Sequence, residues 1–148
     1  MTGRQTLPKR WFIVTGSQGL PSLRDLPRDC GLLLLPDVAP DVRRKLKRAA
    51  RLRSLVLLEE RPGSSFRVHN MRELRGAMVR RAPIILLSPI FPTRSHPDWR
   101  PMRRMRAATL ARLADRRAIA LGGMDERRYA KIARLGFIGW AGISAFRT

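Results

Sequence analysis

The sequence has little of what disulfide-bonded, cysteine-metal or membrane-spanning proteins need. Cys30 is the only cysteine among 148 residues, which excludes an intrachain disulfide and a cysteine-based metal site. No apolar run approaches the roughly 18 residues that a membrane-spanning helix requires. The stretch from Met1 to Arg10 is polar and basic, unlike a signal peptide. We therefore expect a soluble, cytoplasmic protein with no membrane partner and no bound metal of the cysteine type.

Acidic residues are also scarce. The chain has 11 Asp and Glu residues against 31 Lys and Arg residues, and its formal net charge is +20. A charge of this size attracts anions, including phosphates and nucleic acids. Of the 31 cationic residues only 4 are Lys, and the Arg residues are spread from Arg4 to Arg147. Because they form no single stripe, the pattern favours a solvated arginine-rich surface, and nucleic acid is not the expected partner.

The hydrophobic pattern predicts one α/β domain over residues 1–148. Short, fully apolar runs alternate with amphipathic stretches, which is typical of parallel strands covered by helices. A complete eight-fold β/α barrel needs at least about 200 residues, so a barrel of this length would be incomplete. The predicted strands are residues 11–15, 31–35, 55–58, 66–69, 84–87, 118–121 and 137–144, and the predicted helices are residues 40–53, 71–81, 102–116 and 126–135.

One connection is too short for this pattern. Only residues 61–65 separate the third strand segment, which ends at Glu60, from Phe66. Parallel neighbours need a crossover of at least about 10–12 residues, so about one β/α unit is missing here. The two strands form a hairpin, or one of them leaves the sheet, or the barrel is open at this place, which we call the seam. An open seam exposes strand edges, and a homodimer is one way of covering them.

Two glycines at the end of a strand suggest an anion site. Gly122 and Gly123 directly follow the sixth strand segment, and Ile143 and Ser144 end the seventh. Glycine lets backbone N–H groups approach an anion closely, and the loops after the last two strands of a barrel commonly bind phosphate. The alternative is a tight strand-to-helix turn without a ligand.

Together with residues 88–96, these motifs resemble the thiamine-phosphate synthase/TenI superfamily, whose members are β/α barrels. Residues 88–96 read SPIFPTRSH, similar to the family pattern G-P-[VI]-F-x-T-x-T-K. Residues 119–124 read IALGGM, similar to V-A-[IL]-G-G-[IM], and residues 136–145 read GFIGWAGISA, similar to G-A-x-G-[VW]-A-x-[IV]-S-A. Order and spacing agree over about half of the chain. The chain is identified as a shortened, divergent member with a TIM-barrel-like (β/α) fold.

The resemblance implies a site for a thiazole phosphate. In the family, backbone amides bind the phosphate. The loop after the family's sixth strand, which corresponds to the loop after residues 84–87 here, also belongs to the site. The matching residues are Gly122, Gly123, Ile143 and Ser144 for the phosphate, and Thr93 and Ser95 for the loop.

A histidine is implied for the tautomerases of the family. They aromatise the thiazole with a histidine in a segment similar to S-V-H-S, which matches His69 in residues 67–70, RVHN. Histidine suits proton transfer near neutral pH. A histidine that only makes local hydrogen bonds at a strand end is the alternative.

The part of the family site that binds pyrophosphate is missing. The synthases couple thiazole phosphate to hydroxymethylpyrimidine pyrophosphate with the help of Mg²⁺. Their Gln-x-Arg-x-Lys set on the second strand is absent from residues 32–37, LLLLPD. The lysine that the family has in the loop after its sixth strand corresponds to His96, in the loop after residues 84–87. The aspartates that bind Mg²⁺ are not found. Glu59 and Glu60 could replace them, but a charged turn is the favoured interpretation.

Two classes of function therefore remain open. The first is a thiamine-biosynthesis enzyme, either a synthase-type transferase or a TenI-type thiazole tautomerase. The second is a non-catalytic remnant of the family that binds anions or RNA through its arginine-rich surface, with a steep dependence on salt.

Overall fold

Strands and helices alternate along the residues that the computed structural model describes, which are 6–17, 22–94 and 96–143. In chain order they are β1 (Arg10–Val14), β2 (Cys30–Leu34), α1 (Pro40–Arg53), β3 (Val56–Glu59), β4 (Arg67–Val68), α2 (Met71–Val79), β5 (Ile85–Leu87), α3 (Arg104–Leu113), β6 (Ala118–Leu121), α4 (Glu126–Ile132) and β7 (Gly139–Gly142). Within these ranges, none of the helices has the length and apolar character needed to cross a membrane.

The seven strands form one parallel sheet in the order β3-β2-β1-β7-β6-β5-β4. The first and last strands are neighbours, with Arg10 opposite Trp140, as in a β/α barrel. β3 and β4 are consecutive along the chain, yet they lie at opposite edges of the sheet. The predicted shortened barrel is thus confirmed, and of the three arrangements considered for the seam, the open one is present.

The side chains of β1 alternate between two hydrophobic clusters. Trp11 and Ile13 belong to a cluster that also contains Val68 of the opposite edge strand. Phe12 and Val14 pack with Leu46 of α1 on the outer face. The strand registers place Val68 on the same face of the sheet as Phe12, whereas Arg67 shares the face of Trp11.

Three helices differ from the prediction at their ends. α2 ends at Val79 instead of residue 81. α3 begins at Arg104 instead of residue 102, because the Met102 N–H donates to the Pro89 carbonyl at 2.6 Å and Arg103 is extended. α4 ends at Ile132, and a single 3₁₀ turn follows before Gly136, whose φ is +111°. That left-handed conformation is one that glycine adopts easily.

Local hydrogen bonds satisfy polar groups on both sides of the seam. The Glu60 N–H donates to the Leu34 carbonyl at 2.9 Å, and Glu60 Oε2 accepts from the Phe66 N–H at 3.1 Å. The N–H of Arg67 donates to Ser65 Oγ at 3.2 Å. Glu60 therefore links the end of β3 to the beginning of β4.

Glu59 forms ion pairs with α1 that should make stability depend on pH. Its carboxylate oxygens lie 2.8 Å from Arg43 Nη1 and 2.9 Å from Lys47 Nζ. The hydrogen bond from Arg43 is the main reason why the pKa of Glu59 is lowered from its ordinary value of 4.5. The stabilisation is therefore present above pH 4.5 and is lost as the pH falls through the lower pKa of the folded state.

We expect Glu59→Gln to lower the free energy of unfolding at pH 7 by about 0.5–1 kcal/mol, since the carboxylate is partly exposed. Urea denaturation from pH 7 to pH 3 measures this difference, which should shrink towards the acid end. A difference that stays constant over the whole pH range would contradict the ion-pair interpretation.

Candidate functional site

A cleft of about 340 Å³ lies at the carboxyl ends of the strands, as in other parallel α/β proteins. Four of the predicted site residues line it: Gly122, Gly123, Ile143 and Thr93. We call it the glycine cleft. The two other predicted residues of this group, Ser95 and Ser144, lie outside the described residues.

The two glycines lie directly under the loop that follows β5. Their φ angles are +103° at Gly122 and +60° at Gly123. A Cβ added to Gly123 would lie 2.2 Å from the Pro92 carbonyl oxygen, and one added to Gly122 would lie 3.0 Å from Pro89 Cα. The Phe91 N–H also donates to the Gly122 carbonyl at 3.1 Å. Only glycine permits this close approach between the loop and the end of β6.

The glycine cleft is strongly cationic. Arg67, Arg94 and Arg128 line it, and no aspartate or glutamate is among the described residues that do so. The Arg128 guanidinium donates to the Gly123 carbonyl at 2.6 Å and lies 5.3 Å from the centre of the Phe91 ring. Arginines in a cleft without carboxylates attract anionic ligands.

His69 follows β4, and its ring orientation is fixed. Its Nδ1 lies 2.7 Å from the Ser88 carbonyl oxygen, which can only accept a hydrogen bond, so Nδ1 carries the proton. In a neutral imidazole, Nε2 then has the free lone pair. The His69 N–H donates to Glu73 Oε2 at 3.2 Å, and Asn70 caps α2 by accepting from the Glu73 N–H at 2.9 Å. The geometry equips His69 to accept a proton.

The structure does not bring His69 into the glycine cleft. His69 lines a neighbouring cleft of about 560 Å³, and Ser88, Pro89 and Trp99 line both clefts. The Trp99 ring is edge-on to His69 at 6.0 Å between ring centres and stacks on His96 at 3.9 Å. Trp99 and the turn at Ser88 and Pro89 are thus the shared wall between the predicted histidine and the predicted glycines.

Sequence patterns did not single out four residues of these walls: Arg67, Arg94, Arg128 and Trp99. Because the chain has 31 Lys and Arg residues, composition does not distinguish these three arginines from the others. Trp99 lies in a proline-rich loop without hydrophobic periodicity. For Arg67 the one available signal was its position in the sequence, two residues before His69.

The carboxylates near the seam do not fit a Mg²⁺ site. Glu59 is paired with Arg43 and Lys47, and Glu60 accepts from the Phe66 N–H. Within the described ranges, no group of three or more His, Cys, Asp or Glu side chains is arranged to bind a metal ion. Mg²⁺ prefers several oxygen ligands in octahedral geometry, and this donor set does not supply them.

Comparisons with known proteins agree with this architecture. The sequence profile of a family described as thiamine monophosphate synthase matches residues 63–146. The fold is similar to that of a thiamine phosphate pyrophosphorylase from Pyrococcus furiosus, with a TM-score of 0.71 over 93% of this chain and 86% of that chain, at 15% sequence identity. At that identity the likeness shows the fold. No curated protein matches the sequence significantly.

Proposed function

Because the chain belongs to the thiamine monophosphate synthase family, we propose that it binds a thiazole phosphate in the glycine cleft and tautomerises the thiazole with His69. The observation that carries the proposal is the composition of that cleft. It combines a Gly-Gly turn with three arginines and has no carboxylate among its described lining residues.

The phosphate would lie at the end of β6 and β7. Gly122, Gly123 and Ile143 line the cleft there, with Thr93 on the facing loop. Backbone N–H groups at such a turn bind phosphate oxygens, and arginine adds charge-assisted hydrogen bonds. By family resemblance Ser144 and Ser95 extend this phosphate and loop contact.

The proton transfer would use His69 alone. Its Nε2 removes a proton from the thiazole ring system, and the imidazolium returns a proton to another atom of the same molecule. The net reaction moves one proton and one double bond, so no cofactor is consumed. The ring must reach His69 across Ser88, Pro89 and Trp99, which requires the Trp99 side chain to shift when the ligand binds.

Coupling to hydroxymethylpyrimidine pyrophosphate is the second candidate activity, on family resemblance. It would require Mg²⁺ ligands, which the described carboxylates do not supply. It would also require the polar and cationic set that binds pyrophosphate in the family, which residues 32–37 lack. For this reason we place tautomerisation first.

Calorimetric titration tests the proposed ligand. The carboxylated thiazole phosphate is titrated at two salt concentrations, with and without Mg²⁺ and the pyrimidine pyrophosphate. We expect saturable binding at one site, changed little by Mg²⁺. No binding of this ligand, together with salt-sensitive binding of RNA, would refute the proposal and favour a non-catalytic remnant.

We also propose that two copies associate at the seam. β3 and β4 each have one strand neighbour within the described sheet. Leu52 at the end of α1 and Val79 at the end of α2 are 78% and 83% exposed. Both helices are adjacent in sequence to an edge strand. A second copy would remove these apolar groups and the strand edges from water.

Sedimentation over a range of protein concentrations measures this association. A dimer that Leu52→Glu dissociates is the expected result. A monomer at all concentrations would contradict the proposal.

A further inference from the structure

A small apolar pocket of about 110 Å³ lies between α3 and α4, and we call it the helix pocket. Four of the residues that form its wall are at most 8% exposed: Ile90, Ala107, Ile132 and Phe137. Among the described residues, it shares none with the glycine cleft and only Met102 with the cleft beside His69. The helix pocket is therefore separate from the candidate active site.

Hydrogen bonds hold the wall of the helix pocket in place. The N–H groups of Ile90 and Phe91 donate to the carbonyls of Leu121 and Gly122 at 3.0 and 3.1 Å. The Tyr129 hydroxyl donates to the Phe137 carbonyl at 3.3 Å. A pocket that is already formed costs less conformational entropy to fill than one that a ligand must open.

The helix pocket has cations beside its apolar wall. Arg104 and Lys131 both line it, and both are exposed. The Arg104 guanidinium donates to the Lys131 carbonyl at 3.0 Å, which orients it beside the pocket. Neither side chain forms an ion pair with any residue that the structure describes, and no Asp or Glu is among the described lining residues. The complementary ligand has an apolar group next to a negative charge.

We propose that the helix pocket docks an acidic segment of a partner protein, which inserts one apolar side chain and places a carboxylate against Arg104 and Lys131. The pocket volume is about four times the roughly 30 Å³ that a water molecule occupies in the liquid, which is room for one medium-sized apolar side chain. An apolar anchor in a pocket, surrounded by weaker polar contacts, is the usual arrangement of a small interface. This docking does not depend on the proposed enzymatic function.

Other occupants fit the helix pocket less well. A nucleic acid would meet the two cations, but the apolar wall offers no partner for the polar edge of a base. A lipid acyl chain is longer than the pocket. In a symmetric dimer the α3 face would meet itself, and α3 has no acidic residue to offset its exposed arginines, Arg104, Arg106 and Arg112.

Peptide selection tests the proposal. Short random peptides displayed on phage are selected against the wild type, and the enriched peptides are synthesised and titrated by fluorescence anisotropy. We expect enriched sequences to carry several Asp or Glu residues beside one large apolar residue. Ala107→Leu fills the pocket and should weaken binding of these peptides by at least about 10-fold. Lys131→Glu should weaken it by about 5-fold, because it reverses one charge at the pocket.

Two matched controls separate docking in the pocket from general attraction to a cationic chain. Ala49→Leu makes the same change at a half-buried alanine of α1, and Lys45→Glu makes the same charge change at an exposed lysine of that helix. Each should change the affinity by less than about 2-fold. In thermal unfolding Ala107→Leu should be at least as stable as the wild type, since the leucine fills an existing cavity.

Several results would overturn the proposal. It is wrong if no peptide is enriched, or if the enriched peptides bind Ala107→Leu as tightly as the wild type. A change in the sedimentation of the protein alone on Ala107→Leu would assign the pocket to a second copy instead. Vesicles of phosphatidylglycerol and phosphatidylcholine in equal parts that bind the wild type but not Ala107→Leu would assign it to a lipid surface.

The proposal stays testable if Ala107→Leu does not fold. Lys131→Glu is then compared with Lys45→Glu, and equal peptide affinities in these two variants would refute docking at the pocket. Binding of the thiazole phosphate is measured separately, so this inference and the proposed function can fail independently.

Discussion

Gly123→Ala is expected to weaken binding of the thiazole phosphate by at least about 100-fold, which corresponds to about 2.7 kcal/mol. The new Cβ would lie 2.2 Å from the Pro92 carbonyl oxygen and 2.9 Å from Arg128 Nη1. Arg128 Nη1 is the end of a flexible side chain that can move aside, whereas the Pro92 carbonyl belongs to the backbone of the facing loop. The loop that carries Thr93 must therefore shift, which separates the two walls of the glycine cleft. Calorimetric titration measures the loss.

Gly63→Ala provides a control for backbone strain. Gly63 has a φ of +76°, close to the +60° of Gly123, but no atom lies within 4 Å of an added Cβ. This variant should lose about 1 kcal/mol of stability from the left-handed conformation and bind the ligand normally. If Gly123→Ala binds as well as Gly63→Ala does, the glycine turn is not the phosphate site.

His69→Gln should lower the tautomerisation rate by about 10²- to 10⁴-fold, which is the usual contribution of a positioned general base. Glutamine still offers an N–H donor to the Ser88 carbonyl, which Nδ1 contacts at 2.7 Å in the native protein. It has no group that accepts a proton near neutral pH. Because the proposed phosphate contacts lie across the shared wall in the other cleft, the dissociation constant should change by less than about 3-fold. Single-turnover measurements by NMR separate the two quantities.

Chemical rescue tests the role of His69 as the base by supplying imidazole to a variant that lacks the side chain. In His69→Gly, added imidazole should restore part of the rate, since the neighbouring cleft of about 560 Å³ has room for it. A rate unchanged by His69→Gln would rule out the histidine as the base. An equal loss of rate and affinity would assign it to binding instead.

Loop length was the most informative property of the sequence for the fold. Five residues between two strand segments cannot form a parallel crossover. This excluded a conventional parallel pair and left three arrangements, of which the structure has the open one. The α1 boundaries followed from hydrophobic periodicity, with Pro40 at the first helical position. α3 began later than predicted because a long-range contact, from Met102 to the Pro89 carbonyl, keeps the chain extended.

The sequence predicted less of the candidate site than of the fold. Gly122, Gly123, Thr93 and Ile143 all line one cleft, because the carboxyl ends of parallel strands meet at one edge. His69 was matched to the family's histidine by resemblance alone, and nothing in the sequence indicated that Trp99 lines both its cleft and the glycine cleft. The position of a tryptophan in an irregular loop depends on packing against distant residues, and no local pattern encodes it. The burial of Arg67 Nε likewise becomes visible only when its surroundings are known.

The strand order also determines where this chain tolerates a change in length. The pairing of β1 with β7 lies in the middle of the sheet. The first and last strands of the chain therefore join its two halves. The connection at residues 61–65 joins the two free edges. An additional β/α unit inserted there would meet a strand edge on both sides and complete the barrel without disturbing any existing pair. At every other connection in this sheet, an inserted strand would first have to separate two paired neighbours. The seam is thus the point at which such a barrel gains or loses a unit with the least disruption.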